Sequence, residues 1–247
     1  MASRRPLASR RRVVAEILRV DSAARAFAGR RVLHSATLRA HAGRVTALLG
    51  RNGAGKSTLL KIAAGVVSPD PGVVHFLGHA YLRASHATLA RHGLFFWPAD
   101  DALSPALTVG TQLAMMAARF GGDAVAAAER AGIAHRVSAL PPELSGGERR
   151  RAELALALVR RPVCLLADEP FRDVAPRDAE HLVAALRVLS AEGCAVVVTG
   201  HEVETLLAVA DTVAWCTAGT TYELGPPGAA RLDARFAREY LSPRASA

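Results

Sequence analysis

A glycine-rich loop between an apolar run and a helical segment constrains this chain more than any other stretch. Residues 50–58 read Gly-Arg-Asn-Gly-Ala-Gly-Lys-Ser-Thr, after Val-Thr-Ala-Leu-Leu at 45–49 and before Leu-Leu-Lys-Ile-Ala-Ala at 59–64. The glycine, lysine and hydroxyl spacing, in this strand–loop–helix order, is that of a phosphate-binding P-loop. A glycine-rich surface turn is the alternative, and it would make the whole pattern a coincidence. The loop therefore predicts a polyphosphate site at the start of the helix.

Each part of the loop has a separate physical role in such a site. Glycines let the backbone curl around the phosphates, and N–H groups at the helix start point at the anion. The Lys56 ammonium is predicted to reach the β- and γ-phosphates, and the Ser57 hydroxyl to coordinate Mg²⁺. The residues expected to contact a nucleotide here are Asn52, Gly53, Ala54, Gly55, Lys56, Ser57 and Thr58.

A second signature lies far downstream, where residues 163–170 read Val-Cys-Leu-Leu-Ala-Asp-Glu-Pro. An apolar strand that ends in two acids is what a nucleotide hydrolase needs beside its P-loop. Asp168 is expected to hold Mg²⁺, and Glu169 to polarise the attacking water as general base. Because many strands end in a solvated acid, this interpretation depends on the P-loop upstream.

The order of the predicted elements indicates an α/β protein. After residue 162, apolar strands alternate with helices of about 10–15 residues, which is typical of parallel βαβ units. Residues 99–161 are instead predicted to be helical. Before the P-loop, the pattern predicts a first strand over residues 13–20 and two short strands at 31–33 and 36–40.

Composition and charge bound the class of protein. With 247 residues, 51% of them hydrophobic, the chain can bury a sizeable core, and no apolar run approaches the roughly 18 residues that span a bilayer. Residues 1–12 carry five arginines and no acid, which predicts a disordered basic tail before a single domain over residues 13–247. The net charge of +9 fits an anionic membrane surface or nucleic acid, or a bias of the genome toward arginine.

A third motif lies between the other two, at residues 144–151, Leu-Ser-Gly-Gly-Glu-Arg-Arg-Arg. Alone it would be an ordinary helix start with a serine cap. The chain resembles the ATP-binding-cassette (ABC) family over almost its whole length, residues 13–240. The resemblance rests on three motifs in this order: the P-loop, Leu-Ser-Gly-Gly-Glu, and a strand that ends in Asp-Glu. The match is closest to the stand-alone ATPase subunits that resemble those of lipopolysaccharide export and branched-chain amino-acid import.

The resemblance implies a fold and further site residues. The fold is a P-loop NTPase with a RecA-like core (residues 13–98 and 162–247), an N-terminal antiparallel β portion and an inserted α-helical subdomain (residues 99–161). Phe27 lies where the family stacks an aromatic on adenine, although a core phenylalanine is the alternative. His201 matches the histidine that senses the γ-phosphate, so Lys56, Glu169 and His201 form the expected catalytic set.

The resemblance also implies partners and a location. Ser145, Gly146 and Gly147 match the signature that contacts the γ-phosphate of ATP held by the opposite subunit, so the active unit is a dimer that encloses two ATP molecules with Mg²⁺. The chain is thus expected to power a transporter by binding and hydrolysing ATP, with transmembrane permease subunits and a second ATPase subunit, identical or different. No nucleic-acid partner is expected, and the location is cytoplasmic, peripheral on the inner face of the membrane.

At two positions the sequence departs from the family pattern, and both departures bear on how efficiently the chain hydrolyses ATP. Ala99 lies where the family has a glutamine, and Asp100 is the hypothetical substitute ligand for Mg²⁺. Ala175 lies where the family has an aspartate, and an acid appears two residues earlier at Asp173. A weakly hydrolysing or non-hydrolysing partner in a heterodimer is therefore one alternative function. A soluble ATPase that acts on nucleic acid or ribosomes is another, but such proteins usually carry a second cassette or a coiled-coil insert.

Overall fold

The fold is a single mixed β-sheet with helices on both faces, and the computed structural model describes residues 15–241. The predicted basic tail, residues 1–12, lies outside the described residues. The strands are β1 (Glu16–Phe27), β2 (Arg30–His41), β3 (Val45–Leu49), β4 (Val73–Phe76), β5 (His79–Tyr81), β6 (Leu94–Trp97), β7 (Cys164–Ala167), β8 (Ala195–Gly200), β9 (Thr212–Thr217) and β10 (Thr220–Gly225).

The helices follow the P-loop strand. They are α1 (Lys56–Ala63), α2 (His86–Arg91), α3 (Val109–Phe120), α4 (Ala124–Arg130), α5 (Gly146–Arg160), α6 (Pro176–Ala191), α7 (Val203–Val209), α8 (Pro227–Leu232) and α9 (Ala234–Tyr240), with short 3₁₀ helices at Ala134–Arg136 and Pro141–Glu143. Within residues 15–241, no helix combines the length and the apolarity needed to cross a membrane.

The parallel half of the sheet positions the site. Its strands lie in the order β9-β3-β8-β7-β6, so the P-loop strand β3 has a parallel neighbour on each side. Every residue of β3, β7 and β8 is buried, as expected for strands covered on both faces. Because the strands run parallel, the loops after β3, β6, β7 and β8 all emerge at one edge of the sheet.

The antiparallel half lies beyond β10, in the order β5-β4-β1-β2. Here β2 is one continuous strand, where the sequence pattern predicts two short ones. The polar residues His34 and Ser35 interrupt the apolar pattern, but both backbone N–H groups donate to the Gly219 carbonyl, at 2.8 and 3.4 Å, beside β10. The long pairing with β1 then keeps the strand continuous.

Side chains that alternate along the strands separate two hydrophobic cores. Val45, Ala47 and Leu49 face a core shared with α3 to α7, α8 and α9, whereas Leu48 faces a core shared with α1 and the antiparallel strands. Between β6 and β7 the described chain contains only helices and loops, which pack mainly on the first of these cores. The predicted α/β class, with its antiparallel portion near the N-terminus and its helical insertion, is confirmed.

Candidate nucleotide site

The P-loop connects β3 to α1 with a backbone that its glycines permit. Gly53 and Gly55 adopt left-handed φ angles of 80° and 107°, which other residues rarely tolerate. A Cβ at Gly55 would lie 2.5 Å from Leu33 Cδ2, and one at Gly50 would collide with the backbone carbonyl of Cys216. The loop therefore packs closely against β2 and β9.

Lys56, the first residue of α1, is buried with its ammonium turned back over the loop. Its Nζ donates to the Gly50 carbonyl at 2.7 Å and to the Arg51 carbonyl at 3.2 Å. Behind the loop, the Cys216 thiol donates to the Ala54 carbonyl at 3.1 Å, and burial raises the pKa of this thiol to about 11. The cationic group is thus held at the mouth of the loop, and the loop itself is braced by β9.

Asp168 follows β7 and lies beside the hydroxyl of Ser57. The Ser57 Oγ donates to Asp168 Oδ1 at 3.1 Å, and the Thr199 Oγ1 donates to the same oxygen at 2.6 Å. The Thr199 hydroxyl also accepts the Glu169 backbone N–H at 3.0 Å. Sequence reasoning missed Thr199, because a polar residue at the end of a buried strand was the only signal for it.

The Ser57–Asp168 pair fits Mg²⁺, which usually takes one or two carboxylates and keeps waters or phosphate oxygens. The Ser57 hydroxyl already lies within hydrogen-bond distance of the buried Asp168 carboxylate. A small cation bound to both oxygens would take the place of this hydrogen bond. Among residues 15–241, no group of three or more His, Cys, Asp and Glu side chains could hold a metal by itself. Ser57 and Asp168 alone would leave most positions around a six-coordinate Mg²⁺ to water or phosphate oxygens.

Glu169 and His201 converge on the same cleft from neighbouring strands. The cleft has a volume of about 400 Å³ and is lined by Val32, Asn52, Gly53, Gly55, Lys56, Ser57, Thr58, Glu169, Arg172 and His201. Glu169 has a left-handed φ of 50°, rare for a non-glycine residue and typical of functional sites. The His201 ring is half-exposed, with Nε2 3.3 Å from Glu202 Oε1.

Phe27 lies at the end of β1, with 43% of its surface exposed. The Arg25 guanidinium lies 5.1 Å from its ring centroid. Its exposure argues against the alternative of a core phenylalanine. Phe27 is not among the residues that line the cleft, where Val32 of the neighbouring strand β2 takes part instead.

The signature residues begin α5, and Ser145 caps this helix. Its hydroxyl accepts the Glu148 N–H at 3.2 Å, while the Glu148 carboxylate accepts the Ser145 N–H at 2.9 Å, which is a capping box. The bond from the Ser145 N–H lowers the pKa of Glu148, and the nearby Arg136 lowers it further. Gly147 must be small, because a Cβ there would collide with the Asp178 carboxylate on α6.

A second cleft, also about 400 Å³, adjoins the P-loop cleft. It is lined by Ala99, Asp100, Asp101, Gly146, Arg149, Arg150, Arg172 and Asp173. The structure therefore brings Lys56, Ser57, Asp168, Glu169 and His201 together, but it does not bring the signature to the P-loop of the same chain. Asp100, the hypothetical Mg²⁺ ligand, is 94% exposed on this second cleft and lies 3.9 Å from Arg172.

Comparisons with known proteins indicate the family of the chain. The family described as ABC transporter matches residues 33–172, more than half of the 247 residues. The lipopolysaccharide export system ATP-binding protein LptB of Escherichia coli strain K12 is 32% identical over 233 residues, 91% of this chain and 96% of that protein. The Fe(3+) ions import ATP-binding protein FbpC of Yersinia pestis is 36% identical over 204 residues, 79% of this chain and 58% of that protein.

A solved structure of similar fold is the ADP conformation of MJ1267, an ATP-binding cassette of an ABC transporter. It superposes with a TM-score of 0.80 at 23% sequence identity, and the superposition covers 93% of this chain and 100% of the MJ1267 chain. At that identity the likeness concerns the fold alone, and it confirms the predicted P-loop NTPase fold.

Proposed function

Because the chain belongs to the ABC transporter family, as an ATP-binding protein, we propose that it is the subunit that hydrolyses ATP for a multi-subunit transporter. The observation that carries the proposal is the convergence of Lys56, Ser57, Asp168, Glu169 and His201 at one edge of the parallel sheet. These five side chains supply a cation, a hydroxyl, a metal-binding acid, a base and a hydrogen-bond donor. Phosphoryl transfer needs little beyond such positioning and charge.

In this proposal, the loop residues 52–58 bind the phosphates with backbone N–H groups, and Lys56 neutralises the β- and γ-phosphates. Mg²⁺, when bound, would offset the negative charge that develops on the phosphate oxygens, and Ser57 and Asp168 would hold it. Phe27, exposed at the end of β1, would stack on the adenine ring.

Glu169 would orient and deprotonate the water that attacks the γ-phosphate, and His201 would donate a hydrogen bond to that phosphate. Glu169 is suited to this role because its backbone is held by Thr199 while its side chain, 16% exposed, faces the cleft.

A second ATPase subunit would complete the site. Ser145, Gly146 and Gly147 start α5 beside the second cleft rather than the P-loop cleft of their own chain. Helix N-termini attract anions, so this signature would contact the ATP held by another subunit. We further propose that residues 99–161 form the helical subdomain and that permease subunits dock on the assembly at the inner face of the membrane, since LptB and FbpC are named as ATP-binding proteins of an export and an import system.

The alternative function is a weakly hydrolysing or non-hydrolysing partner in a heterodimer. It is favoured by one observation, that Ala99 offers no side chain to the site while Asp100 lines the other cleft. The measurement of phosphate release described next distinguishes the two functions.

The experiment measures phosphate release from ATP with Mg²⁺ by the purified chain and by two variants. Glu169→Gln should lower the rate by about 10²- to 10⁴-fold, because the general base is lost, while ATP still binds. Glu129→Gln, at an exposed acid of α4, is the matched control and should keep the wild-type rate. A wild-type chain that binds ATP without releasing phosphate would support the alternative, and an unchanged rate in Glu169→Gln would refute the role of the base.

A further inference from the structure

Arg172 lies between the two clefts and lines both of them. Its Nη2 donates to the Ala99 carbonyl at 2.9 Å, and its Nη1 lies 3.7 Å from Glu169 Oε2. One planar side chain thus contacts the candidate base on one side and the loop after β6 on the other. A guanidinium suits this arrangement, because its rigid fork presents several donors at fixed angles.

The Ala99 carbonyl has a second arginine partner. Arg150 of α5 donates from Nη2 to the same oxygen at 2.5 Å, and its Nη1 pairs with Glu153 Oε2 at 2.8 Å. Glu153 is fully buried and also accepts from Trp97 Nε1 at 2.8 Å and from the Ala102 N–H at 2.9 Å. The loop after β6 is therefore bonded on one side to the signature helix and on the other to Arg172.

The loop after β6 is connected to the site by a side chain from the site, and not by the side chain of residue 99. A glutamine at position 99 would reach from the loop into the site, but alanine has no group that can do so. Here Arg172 reaches from the site to a backbone carbonyl, which is present whatever the residue at 99. We propose that Arg172 is a positioning residue that couples the Glu169 carboxylate to the loop at Ala99 and, through Arg150, to α5.

The alternative is that Arg172 is an ordinary surface charge. Its other acidic neighbours, Asp100 and Asp173, lie at 3.9 and 3.8 Å and are 94% and 89% exposed, so these pairs contribute little. The bond to the Ala99 carbonyl differs from them because its acceptor is held in place by Arg150. The inference rests on the proposed function, since it takes Glu169 to be the base.

The test uses Arg172→Ala and Arg172→Lys, with Arg91→Ala as the matched control at an exposed arginine of α2. Arg172→Ala should lower kcat about 10- to 100-fold, because a misplaced base loses the geometry of attack. KM for ATP should change by less than about threefold, since the phosphate contacts assigned to residues 52–58 remain. Arg172→Lys should keep kcat lowered, because an ammonium cannot reproduce the fork.

Hydrogen exchange of the nucleotide-free proteins provides a readout independent of turnover. The Ala102 amide and its neighbours in residues 99–103 should exchange faster in Arg172→Ala than in the wild type or Arg91→Ala. Lower kcat without faster exchange, or faster exchange without lower kcat, would overturn the coupling. If the wild-type chain released no phosphate, the proposed function would fail. In that case kcat could not be measured, and equal exchange rates in Arg172→Ala and the wild type would overturn this inference.

Discussion

At the scale of single residues, Thr199 connects the two acids of the site although it takes no part in the proposed chemistry. Its hydroxyl donates to Asp168 and accepts from the Glu169 backbone, and the residue is fully buried. The end of β8 is thereby joined to the loop after β7, which carries the proposed metal ligand and the proposed base. The Thr199 hydroxyl thus links the Asp168 carboxylate to the backbone of Glu169.

We expect Thr199→Val to destabilise the chain by about 1.5–3 kcal/mol, because a buried carboxylate loses a donor and a buried N–H loses its acceptor. Urea unfolding measures this change. Thr199→Ser, which keeps the hydroxyl, is the control and should retain most of the stability. A valine variant within about 0.5 kcal/mol of the wild type would show that water replaces the hydroxyl at no cost.

At the scale of elements, α6 begins without a side-chain cap. Ala175 is its N-cap and makes no capping hydrogen bond. The alanine at this position, where the family has an aspartate, therefore leaves the first turn of α6 without a side-chain acceptor, in addition to any effect between subunits. Pro176 at the first helical position partly compensates, because its ring presets the helical φ angle.

Ala175→Asp is therefore predicted to raise the free energy of unfolding by about 1 kcal/mol, as a carboxylate accepts a free N–H of the first turn. Urea unfolding of Ala175→Asp and Ala175→Asn tests this, since the neutral amide caps without adding charge beside Asp178. If neither variant gained stability, the first turn of α6 would already be satisfied by other partners.

Elements with a strong local pattern could be predicted from the sequence. The strand before the P-loop, β7 and the start of α5 lie within one or two residues of their predicted positions, because apolar runs and a serine cap define them. β10 was not predicted, since Thr-Thr-Tyr-Glu carries no apolar run and its pairing with β9 comes from the fold. Arg172 and Thr199 could not be recognised either, because their hydrogen-bond partners Ala99 and Asp168 are distant in sequence and meet them only in the fold.

At the scale of the whole molecule, the sheet places two half-sites on adjoining clefts. Loops after β3, β7 and β8 build the P-loop cleft, and the start of α5 lies on the other. The motifs of both halves could be predicted from the sequence, but the sharing of Arg172 between the clefts could not, because it depends on side-chain placement. We therefore expect that two chains must meet to form one complete ATP site.

The measurement that tests this claim most directly is the mass of Glu169→Gln in solution by light scattering, with ATP and with ADP. Blocked hydrolysis should hold the closed state, so we expect a dimer of the 26.0 kDa chain with ATP and Mg²⁺, and a monomer with ADP. Gly146→Arg in the same background is the control that should prevent the dimer. A chain that binds ATP and stays monomeric would contradict a site shared between two copies.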